Sequence, residues 1–245
     1  MNNRGIGDRV PDVTFRTRTE SDWLDVTSAQ LFAGQRVVLF ALPGAFTPTC
    51  SASQLPGYNS LAPQFRANGI DRIICLSVND AFVMREWQDA QGADAVDLIP
   101  DGNGEFTEAM GFLVGKEDLG FGKRSWRYAM IVNDGVIEAL FVEPEVPGDP
   151  YGQSDPINVL RYLNPAVTEP DRYAIFVRKG CPHCRRAKDL LTQRGLNFEA
   201  IEIPSTDALL AVTGARTTPQ VYLNGALIGG ADDLEARLGG TVQAA

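Results

Sequence analysis

The sequence lacks most of what would mark a membrane, secreted or nucleic-acid-binding protein. Its 245 residues hold no apolar run near the roughly 18–20 residues that a membrane span requires. Met1-Asn2-Asn3-Arg4-Gly5-Ile6-Gly7 has no apolar core of the kind found in a secretory signal, so a cytoplasmic location is expected. The basic residues are scattered against a formal charge of −9, which argues against nucleic acid as a partner. Cysteine is scarce: Cys50, Cys75, Cys181 and Cys184 are too few for a disulfide scaffold. The one histidine, His183, sits between two of them. No internal repeat or low-complexity tract is present. With 44% hydrophobic and 22% charged residues, the composition is that of a soluble globular chain long enough for two domains.

Hydrophobic patterning gives the organisation. Val37-Val38-Leu39-Phe40-Ala41-Leu42 is apolar without alternation, which predicts a strand buried on both faces. Residues 72–78 repeat the pattern, 81–90 read as a helix capped by Asp80, and 95–99 as a third strand. A short helix is expected at 105–110, and weak alternation over 15–23 suits a hairpin. Asn133-Asp134-Gly135 between two apolar runs signals another hairpin. Residues 51–68 read as helical, bent or interrupted by Pro56-Gly57 and Pro63. Residues 164–171 contain two prolines and no periodicity, the mark of a linker. Beyond them the predicted order is β-α-β-α-β-β-α. Strands alternating with helices place both halves in the α/β class.

Two stretches carry chemistry. Pro43-Gly44-Ala45-Phe46-Thr47-Pro48-Thr49-Cys50 follows the first buried strand and sets Cys50 on the opening turn of the next segment. Unpaired amides and partial positive charge at a helix start favour a thiolate there. Cys181-Pro182-His183-Cys184 follows the strand over 173–177 and opens a helix, with proline at the first turn where it fits. Arg178 and Lys179 add positive charge, so Cys181 is the expected attacking thiolate and Cys184 lies one turn inward. Half of a zinc site is the other reading of such a pair, but no second ligand pair of suitable spacing exists.

Four features in order make residues 171–240 resemble a glutaredoxin: Cys181-Pro182-His183-Cys184, Thr217-Thr218-Pro219, Gly229-Gly230 and Asp232-Asp233. The resemblance implies a cis Pro219 and a backbone contact from Thr218 to the cysteinyl segment of glutathione. It also implies a γ-glutamyl site at Asp232 and Asp233, with Arg178 reaching the glycyl carboxylate. A plain helix cap is the alternative for Asp232-Asp233. His183 is expected as an exposed wall of the groove.

Pro43-x-x-x-Thr47-x-x-Cys50, with Cys75 to Val83, Trp87 and Tyr128 to Gly135, makes residues 4–163 resemble a peroxiredoxin of the peroxiredoxin 5 branch. The resemblance implies Cys50 as the peroxide-reducing thiolate, with Pro43 shielding its sulfur from bulk water; the Thr47 hydroxyl, one turn earlier, can accept from or donate to the peroxide, and a plain N-cap is its other reading. It implies Arg127 as the cation that stabilises thiolate and peroxide; a guanidinium stays charged and offers several donors. Arg124 is expected as a solvated loop charge, Cys75 as structural, and Trp87 and Trp126 as packing residues. Part of that branch carries a resolving cysteine near 143–154. This chain has none, so a sulfenic acid at Cys50 needs an outside thiol.

The whole chain thus resembles the bacterial peroxiredoxin–glutaredoxin fusion peroxidases. That implies two thioredoxin-fold domains, a peroxiredoxin-like one over 1–163 and a glutaredoxin-like one over 171–240, joined by a linker over 164–170. Hydrogen peroxide and organic hydroperoxides are the expected substrates, with no permanently bound cofactor or metal and no membrane partner. Glutathione is the expected reducing co-substrate, regenerated by glutathione reductase. A homodimer or homotetramer is expected, and a short linker, reaching about 15–25 Å, leaves Cys181 able to serve the Cys50 of another subunit. The alternative is a deglutathionylating glutaredoxin whose first domain only docks or oligomerises.

Overall fold

The computed structural model describes residues 4–168 and 171–239. Glu169 and Pro170 of the expected linker, Gly240 at the expected domain end, and Met1-Asn2-Asn3 lie outside the described residues. The chain forms two compact units, Met1–Thr168 and Glu169–Ala245, described separately.

In the first unit, β1 (Thr14–Arg18) and β2 (Trp23–Thr27) form the expected hairpin in antiparallel register. Thr27 and Gln30 then make a capping box for α1 (Ser28–Phe32). The main sheet begins with β3 (Arg36–Leu42). An irregular π turn (Cys50–Gln54) follows and continues into α2 (Leu55–Ala67). Pro56 occupies its first turn, where a missing N–H costs nothing, and Pro63 lies inside without ending it. Next come β4 (Arg72–Ser77), α3 (Ala81–Gln91), β5 (Asp97–Pro100) and α4 (Glu105–Met110). Asp80 caps α3 as expected, accepting from the N–H groups of Phe82 and Val83. The third strand starts two residues later than its pattern suggests.

A small hairpin, β6 (Leu113–Gly115) with β7 (Lys123–Ser125), precedes β8 (Tyr128–Asn133) and β9 (Val136–Val142). The β8–β9 turn has Asp134 and Gly135 at φ +47° and +77°, the geometry that Asp-Gly supplies. A further helix, α5 (Pro156–Leu163), is capped by Asp155. The sheet order is β5-β4-β3-β8-β9, with β3 parallel to β4 and antiparallel to β8. Strand periodicity explains the unbroken apolar run in β3. Val38, Phe40 and Leu42 join one core with Cys50, Tyr58 and Trp87. Val37, Leu39 and Ala41 face the other, with Phe32, Phe106 and Met130.

The second unit follows the predicted order: β10 (Tyr173–Val177), α6 (Pro182–Gln193), β11 (Phe198–Glu202), α7 (Thr206–Thr213), β12 (Gln220–Leu223), β13 (Ala226–Gly229) and α8 (Ala231–Arg237). Its sheet runs β11-β10-β12-β13, with β10 and β11 parallel. Ile175, Val221, Leu191 and Leu234 form its core, and Cys184 belongs to it. Among the described residues no helix is long and apolar enough to cross a membrane. None of them form a cluster of three or more His, Cys, Asp or Glu placed to hold a metal.

Candidate active site

At the end of β3 the chain turns sharply at Phe46, whose φ of +61° lies where bulky residues are rarely found. Neighbouring bonds hold the turn. Thr47 donates through its hydroxyl to Gly44 O at 2.8 Å, and Ala45 N–H donates to Asn79 Oδ1 at 3.0 Å. Ser77 Oγ donates to the same Asn79 oxygen at 2.7 Å. Asn79, which the sequence places beside the helix cap Asp80, therefore anchors the loop that carries Thr47.

Cys50 is fully buried and is a free thiol, as is Cys75 beneath it in β4. Burial, with the Cys50 side chain nearby, pushes the Cys75 thiol well up, consistent with a structural residue. Arg127, 2% exposed at the head of β8, donates from Nη1 to Cys50 Sγ at 3.5 Å. The same nitrogen donates to Gln54 Oε1, and Nη2 donates to Asp149 Oδ1 at 2.6 Å. Arg127 Nε is buried and has no acceptor among the described residues. Burial works against the guanidinium charge, but Cys50 and Asp149 outweigh it and Arg127 is held more firmly protonated than usual.

The segment between β9 and α5, notable in sequence only for its missing cysteine, completes this network. Glu143 Oε1 accepts from Gly152 N–H at 2.9 Å and from Ser154 N–H and Oγ, each at 2.8 Å. Burial pushes the Glu143 carboxyl up, yet these donors bring its pKa below the usual value. Gln54 Nε2 donates to Ser154 Oγ at 3.4 Å. Gln54, Glu143, Asp149 and Ser154 were missed in the sequence because each is an ordinary polar residue until the fold brings it to Arg127.

A cavity of about 290 Å³ opens on this centre, walled by Pro43, Thr47, Arg127 and Asp149 and by the apolar Phe121 and Trp126. Trp126, expected only to pack, therefore also lines the cavity, and its Nε1 donates to Glu143 O at 2.8 Å. Trp87 packs as expected, fully buried, with Nε1 donating to Ser51 Oγ at 3.0 Å. Arg124 corrects the expectation of a solvated charge. It is half-buried and donates to Val78 O at 3.1 Å, because the β6–β7 hairpin folds it beneath the Cys50 loop.

In the second unit Cys181 is the N-cap of α6, half-buried, and forms a disulfide with the buried Cys184. Cys184 N–H donates to Cys181 Sγ at 3.1 Å, and Thr218 Oγ1 donates to it at 3.6 Å. The Thr218–Pro219 bond is cis, as the resemblance implies. Arg178 is exposed and donates to Thr206 Oγ1 at 3.1 Å. His183 is exposed. Asp233 turns its carboxylate back to accept Gly230 N–H at 2.7 Å, capping its own helix, while Asp232 pairs with Arg186. A Cβ at Gly229 would collide with the Asp233 carboxylate, so glycine is needed there.

Residues 6–155 match the Redoxin family and residues 174–228 the Glutaredoxin family. The chain is similar to the hybrid peroxiredoxin hyPrx5 of Haemophilus influenzae, at 54% identity over 94% of this chain and 96% of that protein. It is also similar to peroxiredoxin sll1621 of Synechocystis, at 54% identity over 66% of this chain and 95% of that one. Among solved structures, reduced Prx3 of Vibrio vulnificus in complex with H2O2 aligns with a TM-score of 0.62 at 42% identity. It covers 65% of this chain and 99% of that one.

Proposed function

This chain belongs to the redoxin family, as a peroxiredoxin with a C-terminal glutaredoxin domain, and we propose that glutathione drives its peroxidase cycle through both cysteine sites. The observation that carries the reading is the Arg127 guanidinium 3.5 Å from the buried Cys50 sulfur, with Arg127 lining a cavity that Pro43 and Thr47 also wall.

The Cys50 thiolate attacks the distal oxygen of ROOH. An S–O bond forms, the O–O bond breaks, and the departing alkoxide takes a proton to leave as ROH. Arg127 stabilises the thiolate and then the charge developing on the leaving oxygen, and its unpaired Nε is a spare donor for that oxygen. The Thr47 hydroxyl, donating to Gly44 O, keeps its lone pairs free to accept from the peroxide. Pro43 and Trp126 keep bulk water away, and the apolar wall suits the alkyl group of an organic hydroperoxide.

Glutathione condenses with the sulfenic acid, releasing water and leaving a mixed disulfide on Cys50. The Cys181 thiolate takes the glutathionyl sulfur and frees the Cys50 thiolate; a second glutathione removes it as oxidised glutathione. The sum is ROOH plus two glutathiones giving ROH, water and oxidised glutathione. Glutathione reductase then restores the pool. Arg178, Thr218, Pro219, Asp232 and Asp233 form the glutathione groove in this reading, with Asp233 acting through the helix start that its carboxylate organises. Cys184 offers a second exit, since it can displace glutathione from Cys181 to give the disulfide. A cytoplasmic homodimer or homotetramer completes the reading.

Intact-mass analysis after one equivalent of peroxide and excess glutathione tests it. An adduct of roughly 305 Da is expected on Cys50 in Cys181→Ser, which should trap it there. Full peroxidase rate in Cys50→Ser would refute the assignment.

A further inference from the structure

Arg127 is a buried cation, and such a charge is costly unless it is paired on every side. Cys50 and Gln54 take Nη1, and Asp149 takes Nη2. Asp149 is different in kind from the other two. Its side chain is 47% exposed, so water could solvate it without help, whereas Arg127 has no such recourse. It sits in the middle of the segment whose two ends Glu143 ties together through Gly152 and Ser154. Glu143 N–H in turn donates to Arg127 O at 3.1 Å. One segment therefore grips Arg127 by both backbone and side chain.

The hydrogen bonds close a ring: Arg127 to Gln54, Gln54 to Ser154, Ser154 to Glu143, and along the chain to Asp149 and back to Arg127. Burial pushes the Asp149 carboxyl up, but Arg127 and the Thr49 hydroxyl hold it below the usual range, so it stays ionised as the clamp requires.

We infer that residues 143–154 are a strap across the cavity mouth, and that Asp149 is a positioning residue aiming the Arg127 guanidinium at Cys50 and the bound peroxide. This rests on the assignment of Cys50 and Arg127 made above. The segment thereby contributes to the reaction without a cysteine, through geometry in place of thiol chemistry.

The test uses the full-length chain and the rate constant for Cys50 oxidation by H2O2, measured in competition with a haem peroxidase. Asp149→Ala is expected to lower it about 10–100-fold, the range for a misplaced catalytic group. Alkylation of Cys50 by iodoacetamide at alkaline pH, followed by peptide mass, should change little, because that reaction breaks no O–O bond. In an Arg127→Ala background, Asp149→Ala should have almost no further effect, since its action runs through Arg127. Equal losses in both backgrounds, or equal losses of peroxide and iodoacetamide reactivity, would overturn the inference. Should Asp149→Ala fail to fold, the isosteric Asp149→Asn carries the same comparison. Cys50→Ser run alongside separates the two claims: an active Cys50→Ser sinks the peroxidase assignment, while an inactive one with a fully active Asp149→Ala sinks only the strap.

Discussion

The two cysteine sites solve opposite problems. Cys50 lies with no exposure beneath a ring of charged and amide side chains, and each of its neighbours is held by a further bond. Cys181 stands half-buried at a helix start, disulfide-bonded to Cys184, with a main-chain N–H and the Thr218 hydroxyl donating to its sulfur. A peroxide is small and can enter a narrow cavity, and breaking its O–O bond rewards fixed donors aimed at the leaving oxygen. Thiol–disulfide exchange needs an approach line for another sulfur and little else. One fold class, used twice in a chain, thus gives a site rigid around its nucleophile and a site open around it.

That contrast can be broken most sharply at Cys181. Cys181→Ser is expected to reduce glutathione-supported turnover to background while the first, single-turnover consumption of peroxide by Cys50 stays at the native rate. Rapid quench with and without glutathione separates the two phases. Arg127→Ala should do the reverse, lowering the Cys50 oxidation rate by about 100–1000-fold with glutathione exchange at Cys181 intact. Disulfide exchange with a glutathionylated peptide is the control assay.

Glu143 sharpens the claim of rigidity. Its carboxyl titrates below its ordinary value of 4.5, so its contribution to stability is fully present above that value and fades as pH falls through the lower folded one. Glu143→Gln should therefore cost about 1–3 kcal/mol at neutral pH, read as a drop of several degrees in Tm. The gap to the native protein should narrow as pH falls below 4.5. A gap independent of pH would mean that charge is not what holds the strap. The smallest effect is expected at Cys184: with glutathione in excess, Cys184→Ser should leave turnover near the native rate, because a second glutathione can resolve Cys181.

Much of this was legible along the chain. The Cys50 loop and the element order of the second unit follow from local signals: unbroken apolar strands, helix caps and cysteines at helix starts. The roles expected of Thr47 and Arg127 came with the family resemblance. The misses have local causes. α5 carries a good start, Asp155-Pro156, yet was hidden by the proline-rich stretch before it. The β6–β7 hairpin has strands of three residues each, too short for periodicity to register. With that hairpin went the burial of Arg124.

The sequence by itself determined which atoms can react. The spacing Thr47-x-x-Cys50 and the pair Cys181-Pro182-His183-Cys184 depend on residues within one turn of each other, where chain connectivity sets the geometry. Only tertiary structure decided what surrounds Cys50. Arg127 is 77 residues away, and Gln54 and Ser154 are 100 residues apart. Each carries a polar group that water would satisfy equally well on the surface. Burial is what makes those groups seek one another, and burial belongs to the whole unit: once β3 and β8 bring Arg127 beside Cys50, its charge needs Gln54 and Asp149.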